Sequence, residues 1–161
     1  MNNELVKKNL GSWQEGLAKN ITLIVTKDCQ LACKYCYLVG KNEKERMSWE
    51  VAKATIDYVL DNENDPNFAY GSVIWDFIGG EPFLEIDLID KICDYIKQEL
   101  FRRNHHWFNS YRFAFSTNGI NYDSEKVLDA LLDLLRSVNV YCRENTLKSL
   151  YSMQRPQVVV S

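Results

Sequence analysis

The chain has 161 residues, of which 46% are hydrophobic and 25% are charged, with a formal net charge of −3. The length and apolar fraction predict one folded domain, and the acidic balance offers no basic face of the kind that binds nucleic acid. No apolar run approaches the roughly 20 residues that a membrane span needs, and no apolar signal segment is recognisable. We therefore expect a cytoplasmic protein that binds neither nucleic acid nor membranes.

The chain begins with a polar lead over residues 1–20, which we expect to precede the domain core. A short apolar run rich in β-branched residues then predicts a first strand over 21–26. We expect the core to extend over 21–137 and a tail to follow over 138–161.

Three cysteines, Cys29, Cys33 and Cys36, follow the first strand directly. Thiolates select iron–sulfur clusters, zinc or copper(I). Three of them on a four-iron cube leave one iron open to an exchangeable ligand, whereas a closed zinc site takes four protein ligands. A fourth zinc ligand is absent at the short paired spacing of zinc modules, and an odd count of five cysteines disfavours a disulfide framework. Distant candidates for that fourth ligand are His105, His106, Cys93 and Cys142.

A first helix is predicted next, with Ser48 as its N-cap. Its predicted apolar face consists of Val51, Thr55, Tyr58 and Val59. A second apolar run predicts a strand over 72–78, and Gly79-Gly80-Glu81-Pro82 follows it. Taken alone, this Gly-Gly-Glu-Pro segment is a turn signal.

The second predicted helix has apolar residues at helical spacing, namely Leu88, Ile89, Ile92, Cys93, Ile96 and Leu100. Cys93 is interpreted as a small core residue, since free cysteine is usually buried. The adjacent pair His105-His106 is interpreted as basic groups that favour the carboxyl end of this helix through its dipole.

An aromatic-rich run predicts a third strand over 111–115, directly before Ser116-Thr117-Asn118-Gly119. A third helix is predicted from Asp123 or Ser124 to Leu135. Its apolar stripe is Val127, Leu128, Leu131, Leu134 and Leu135. Residues 138–141 and 157–160 are weaker strand candidates.

Strands that alternate with helices of this length predict a parallel sheet, whose strands all end at one face. The three-cysteine loop, the Gly-Gly-Glu-Pro loop and the Thr-Asn-Gly loop each follow a different strand. We therefore expect the three loops to converge on one site, as catalytic loops do in α/β barrels.

The pattern Cys-x3-Cys-x-aromatic-Cys, with Tyr35 as the aromatic residue, occurs here together with the two downstream motifs. In this combination the chain resembles the radical S-adenosylmethionine (radical SAM) enzymes, and within them the branch that modifies peptides and proteins. The resemblance covers roughly residues 20–125. It implies an α/β fold that is the N-terminal part of a partial (βα)6 TIM-like barrel, with about three βα units legible.

The resemblance implies that the three cysteines hold a [4Fe-4S] cluster whose open iron takes S-adenosyl-L-methionine (SAM). With an external electron donor, the cofactor would yield a 5′-deoxyadenosyl radical that modifies a peptide or protein substrate. Glu81 would accept from the methionyl ammonium, Gly79 and Gly80 would allow close approach of the backbone, and Tyr35 would lie beside the adenine. The full set of implied SAM-binding residues is Tyr35, Gly79, Gly80, Glu81, Pro82, Ser116 and Asn118. A simple role as a turn residue before glycine explains Asn118 nearly as well.

The tail does not resemble this family, and the chain is shorter than a six-unit barrel requires. We therefore expect a truncated product, or a partner chain that completes the barrel and covers its unpaired strand edge. Two alternatives stay open. One is a catalytically inert iron–sulfur-binding or interaction fragment that acts with a full-length partner, and the other is a zinc-binding scaffold.

Overall fold

A computed structural model describes the backbone of residues 18–38, 43–139 and 158–160, and side chains as far as residue 134. Strands and helices alternate along the chain in the order β1 Ala18–Thr26, α1 Trp49–Asp61, β2 Ser72–Gly79, α2 Ile86–Arg102, β3 Tyr111–Thr117 and α3 Glu125–Asn139. Two 3-10 helices, Pro82–Glu85 and His106–Asn109, precede α2 and β3, and a short strand β4 spans Val158–Val160. The three main predicted strands and the three predicted helices are confirmed, although β1 begins at Ala18 rather than at residue 21.

The strands form one sheet in the order β1-β2-β3-β4, and all neighbouring pairs are parallel. Thr22, Asp76 and Ala114 lie side by side across the first three strands. The predicted mixed α/β architecture with parallel strands is therefore confirmed, while closure into a partial barrel stays a prediction. The strand candidate over 138–141 is wrong at its start, because α3 continues through Asn139, and its last two residues lie outside the described chain.

One face of the sheet packs against the helices and forms the core. Its fully buried aromatic side chains include Trp75 and Phe77, and the ring of Phe77 stacks on Phe115 with centroids 5.4 Å apart. The opposite face is more open: Thr22 and Ile24 are exposed, and Asp76 is half-buried. This alternation is what a period of two residues along a strand dictates.

Helix α1 begins after Ser48, whose hydroxyl accepts from the amide of Val51 at 3.3 Å, as its N-cap role predicts. The predicted apolar face of α1 is wrong except at Val59, because Val51 and Tyr58 are 55% and 61% exposed. The buried residues follow the same spacing one position later, at Ala52, Ile56, Val59 and Leu60. One residue is about 100° of helical rotation, so this offset turns a different face towards the sheet.

The predicted faces of the other two helices are largely confirmed. In α2, Cys93 is fully buried among isoleucines, and Leu88 is partly buried. In α3, Val127, Leu131 and Leu134 are buried, but Leu128 is 40% exposed. The side chain of Leu135 lies outside the described part. None of the helices within the described ranges is both long and apolar enough to cross a membrane.

Candidate iron–sulfur site

The three-cysteine loop leaves the carboxyl end of β1 and has both of its ends fixed. The amide of Lys27 donates to the carbonyl of Glu45 at 3.0 Å, and the amide of Met47 donates to the carbonyl of Val25 at 2.9 Å. Between these anchors Cys29, Cys33 and Cys36 are half-buried and form no disulfide. The sequence motif therefore lies on a loop whose entrance and exit are held together beside the sheet.

Local backbone geometry begins to order the cysteines. The amide of Leu31 lies 3.4 Å from Cys29 Sγ and donates to it, and the amide of Cys36 donates to the carbonyl of Cys33 at 3.3 Å. This contact holds the Cys29 side chain in place within the loop. Tyr35, by contrast, is 84% exposed. Its predicted place beside an adenine stays a prediction.

The Gly-Gly-Glu-Pro loop docks against the base of the cysteine loop through backbone contacts. The amide of Gly80 donates to the carbonyl of Thr26 at 2.9 Å, and the amide of Glu81 donates to the carbonyl of Asp28 at 2.8 Å. A Cβ atom at Gly79 would lie 2.3 Å from the Thr26 oxygen, and one at Gly80 would lie 2.1 Å from the Asp28 oxygen. Both glycines are therefore required by loop-to-loop packing, whether or not a ligand also approaches them.

Glu81 is completely buried and connects the ends of β2 and β3. Its Oε1 accepts from the amide of Phe83 at 3.0 Å and from the Thr117 hydroxyl at 2.7 Å, while Oε2 accepts from the amide of Asn118 at 2.8 Å. Three donors inside the protein thus account for the orientation of this carboxylate. A contact with a methionyl ammonium would have to share an oxygen that already accepts from the protein.

Pro82, also buried, opens the 3-10 helix that follows. Proline suits this position, since its fixed φ matches a helical first turn and it has no amide hydrogen to leave unpaired. Its ring therefore restricts the backbone at this turn, while its implied part in binding SAM stays a prediction.

Asn118 contacts the cysteine loop from the end of β3. Its Nδ2 lies 3.8 Å from Cys29 Sγ and 3.5 Å from Gln30 Oε1. Its Oδ1 accepts from the amide of Ile120 at 2.9 Å, which confirms the turn role. Ser116, by contrast, is exposed on the open face of the sheet.

Asn118 and Glu81 both contact the cysteine loop, so the three loops converge as the topology predicts.

Comparison with known proteins identifies the family. A family model described as "4Fe-4S single cluster domain" matches residues 15–157. The chain belongs to this family. The 4Fe-4S single cluster domain family is radical SAM-like, and its match here extends past residue 137, where the sequence led us to expect the family-like core to end.

An uncharacterized protein of Methanocaldococcus jannaschii is 34% identical to this 4Fe-4S single cluster domain over 116 residues. The aligned region is 72% of this chain and 35% of that relative. The chain thus spans about a third of the length of the relative.

The donor set suits the [4Fe-4S] cluster that the family binds. Cys29, Cys33 and Cys36 supply three sulfur ligands from one loop, and sulfur is the ligand type of iron–sulfur clusters. Within the described ranges the three sulfurs are not gathered within 4.8 Å of one another, as ligands of a single ion would be. On a cube each thiolate binds a different iron, so the three sulfurs do not have to meet around a single ion.

Two polar groups of the 4Fe-4S single cluster domain were assigned no role from the sequence. Thr117 stands in the Ser-Thr-Asn-Gly motif, and in the structure it is buried and its hydroxyl donates to Glu81. Asp76 lies on the open face of the central strand, and burial raises the pKa of its carboxyl above the ordinary value. An aspartate within an otherwise apolar strand was the available signal.

The predicted dipole role of His105 and His106 is wrong, because α2 ends at Arg102 and neither residue lies on it. His105 is instead buried, and its Nδ1 accepts from the amide of Trp107 at 3.1 Å to cap the 3-10 helix His106–Asn109. Burial lowers the pKa of His105 to about 4, so it is neutral near pH 7.

Proposed function

We propose that this domain holds a [4Fe-4S] cluster on Cys29, Cys33 and Cys36 and uses SAM to modify a peptide or protein substrate through a 5′-deoxyadenosyl radical. The observation that carries the proposal is the joining of three loops at one end of the sheet. Glu81 binds the end of β3 through Thr117 and Asn118, and its own amide binds Asp28 at the start of the cysteine loop.

The cluster and SAM, when bound with an external electron donor, supply a radical able to abstract a hydrogen atom from an unactivated C–H bond. The protein's own contribution is to position the cluster and SAM and to exclude competing reactions. The three cysteines lie on a loop with fixed ends, and the buried Glu81 links that loop to the end of β3. Such a fixed arrangement of loops would hold the open iron of the cluster and SAM in a constant relative position.

We propose that Tyr35, Ser116 and Asn118 contact SAM. Tyr35 and Ser116 are exposed, and the Asn118 amide already faces Cys29. Glu81 and the two glycines contribute indirectly, because they hold together the loops that carry these groups. We propose that the substrate peptide lies on the open face of the sheet, where Thr22 and Ile24 are exposed and Asp76 offers a half-buried carboxylate.

A second candidate function is that of an inert cluster-binding or interaction module acting with a partner chain that covers this sheet face. The open face favours it, because parallel sheets normally have both faces covered. Cluster assembly is common to both functions, and cleavage of SAM belongs only to the first.

The test is anaerobic reconstitution of the chain with iron and sulfide. We expect about four irons per chain and, after addition of SAM and dithionite, formation of 5′-deoxyadenosine measured by mass spectrometry. Cys29→Ser, Cys33→Ser and Cys36→Ser should each lose iron and activity, while Cys93→Ala, at a buried thiol in α2, should retain the iron.

The three outcomes of this experiment separate the candidates. Iron and 5′-deoxyadenosine together support the radical function. Iron without SAM cleavage supports the inert module. Iron content that is insensitive to all three loop variants would overturn both.

A further inference from the structure

A second set of metal-ligand side chains lies at the other end of the sheet from the cysteine loop. His105 and His106 precede β3, and His106 contacts both Glu63 and the carbonyl of Tyr70 just before β2, so the set lies near the amino ends of these strands. Their ligand atoms all lie within 4.8 Å of one another, and no other group of three does so in the described part of the chain. The two imidazole rings stack with centroids 4.5 Å apart.

The contacts of His106 leave room for a cation. Its Nε2 lies 3.0 Å from the carbonyl oxygen of Tyr70, which can only accept, so this nitrogen carries a hydrogen. Its Nδ1 then faces Glu63 Oε2 at 3.3 Å. An imidazole lone pair and a carboxylate oxygen repel each other at this distance unless a proton or a metal ion lies between them.

His105 supplies an independent indication. It is 3% exposed, and its Nε2 is buried without a hydrogen-bond partner, although Glu63 Oε2 lies 3.5 Å away. A buried polar atom without a partner is unfavourable, and such atoms in folded proteins often mark a bound ion or water. This nitrogen points to the same carboxylate oxygen that His106 faces.

The spacing suits a transition-metal ion. Ligands about 2.1 Å from a tetrahedral ion lie about 3.4 Å from one another, close to the 3.3 and 3.5 Å that separate the two histidine nitrogens from Glu63 Oε2. Imidazole with carboxylate favours zinc and neighbouring divalent metals over calcium or magnesium. The Tyr70 carbonyl that accepts from His106 is the kind of outer partner that orients a ligand histidine.

We propose that Glu63, His105 and His106 bind a divalent transition-metal ion of the zinc type, separately from the iron–sulfur cluster. His105 is the most costly ligand. Because Trp107 donates to its Nδ1, the ring hydrogen resides on Nε2 in the metal-free chain. Metal binding moves this hydrogen to Nδ1 and releases the Trp107 amide, so Glu63 and His106 provide most of the affinity. The ion enters from solvent, since the side chains of Glu63 and His106 are 42% and 41% exposed.

The test uses the full chain with its thiols alkylated, titrated with Co²⁺ and followed by visible absorption. Tetrahedral cobalt with nitrogen and oxygen ligands gives ligand-field bands without the sulfur charge-transfer band that thiolate binding would add. We expect one equivalent to bind. Glu63→Gln and His106→Gln should each weaken binding about tenfold or more, since loss of even an outer partner costs 10–100-fold.

The control variant is Glu125→Gln, an exposed carboxylate at the start of α3, which should bind cobalt as the unmodified sequence does. Circular dichroism checks that each variant folds, and His105→Gln is avoided because that residue is buried and caps a helix. No binding, or binding that is unchanged in Glu63→Gln and His106→Gln, overturns the proposal. Iron loading of Glu63→Gln should stay normal, so this result is independent of the cluster.

Discussion

Replacing Glu81 with glutamine tests whether this residue is a structural link between loops. The carboxylate accepts from three donors at 3.0, 2.7 and 2.8 Å, whereas an amide has one oxygen and a donating NH2 group. In either orientation of the amide, one backbone amide, that of Phe83 or that of Asn118, faces NH2 and has no acceptor. A buried unsatisfied donor costs about 1–3 kcal/mol, and a bond to a charged group contributes about 1.5–3 kcal/mol.

These two contributions overlap, so we expect Glu81→Gln to lower the free energy of unfolding by about 2–4 kcal/mol. For a chain of this length, such a change lowers the melting temperature by roughly 4–16 °C. The assay is urea unfolding followed by circular dichroism on the cluster-free chain, where no ligand can contribute.

Glu125→Gln is the matched control, and its unfolding free energy should change by no more than about 0.5 kcal/mol, as is usual at exposed sites. The reasoning would be refuted if Glu81→Gln unfolded like the control and lost only SAM binding. Glu81 would then act on the ligand and not on the fold.

Three further predictions concern single contacts. Gly80→Ala should destabilise the chain by about 1–3 kcal/mol and reduce iron loading, because its Cβ would lie 2.1 Å from the Asp28 oxygen. Gly71→Ala is the control and should have neither effect, since a Cβ there would have no atom within 4 Å. Equal effects of the two variants in urea unfolding would contradict the argument from loop packing. Asn118→Asp keeps the oxygen that accepts from Ile120 but places a negative charge near Cys29, so stability should hold while iron is lost faster to a chelator; iron loss at the unmodified rate would exclude this contact. Arg102, and then Arg103, lower the pKa of Glu99 from 4.5 to about 2, so its stabilising effect is complete above pH 4.5 and disappears towards pH 2. Glu99→Gln should therefore flatten the fall in melting temperature over this range, and an unchanged fall would show that these pairs do not stabilise the fold.

The elements that could be predicted from sequence are those whose signal is local. Apolar runs gave the strands, and helical spacing gave the buried face of α2, where Ile89, Ile92 and Ile96 are all buried. The buried face of α1 was displaced by one residue, since two adjacent stripes had similar apolar content and only contact with the sheet decides between them. The position of the three-cysteine loop followed from strand order alone.

The long-range polar contacts could not be predicted in this way. Glu81 reaches Thr117 across 36 residues of sequence, and Glu63 reaches His106 across 43. Sequence spacing carries no information about such pairs, because the sheet register and the loops together bring them into contact. For the same reason, the internal role of the Glu81 carboxylate was not apparent from its motif.

The returning segment at residues 45–47 has a consequence for how the chain avoids misassembly. It forms hydrogen bonds with the carbonyl of Val25 and the amide of Lys27, which would otherwise be unpaired at the outer edge of β1. An unpaired strand edge of this kind can hydrogen-bond to strands of other molecules and so promotes aggregation. The segment that closes the cysteine loop therefore also prevents intermolecular strand pairing beside the metal ligands.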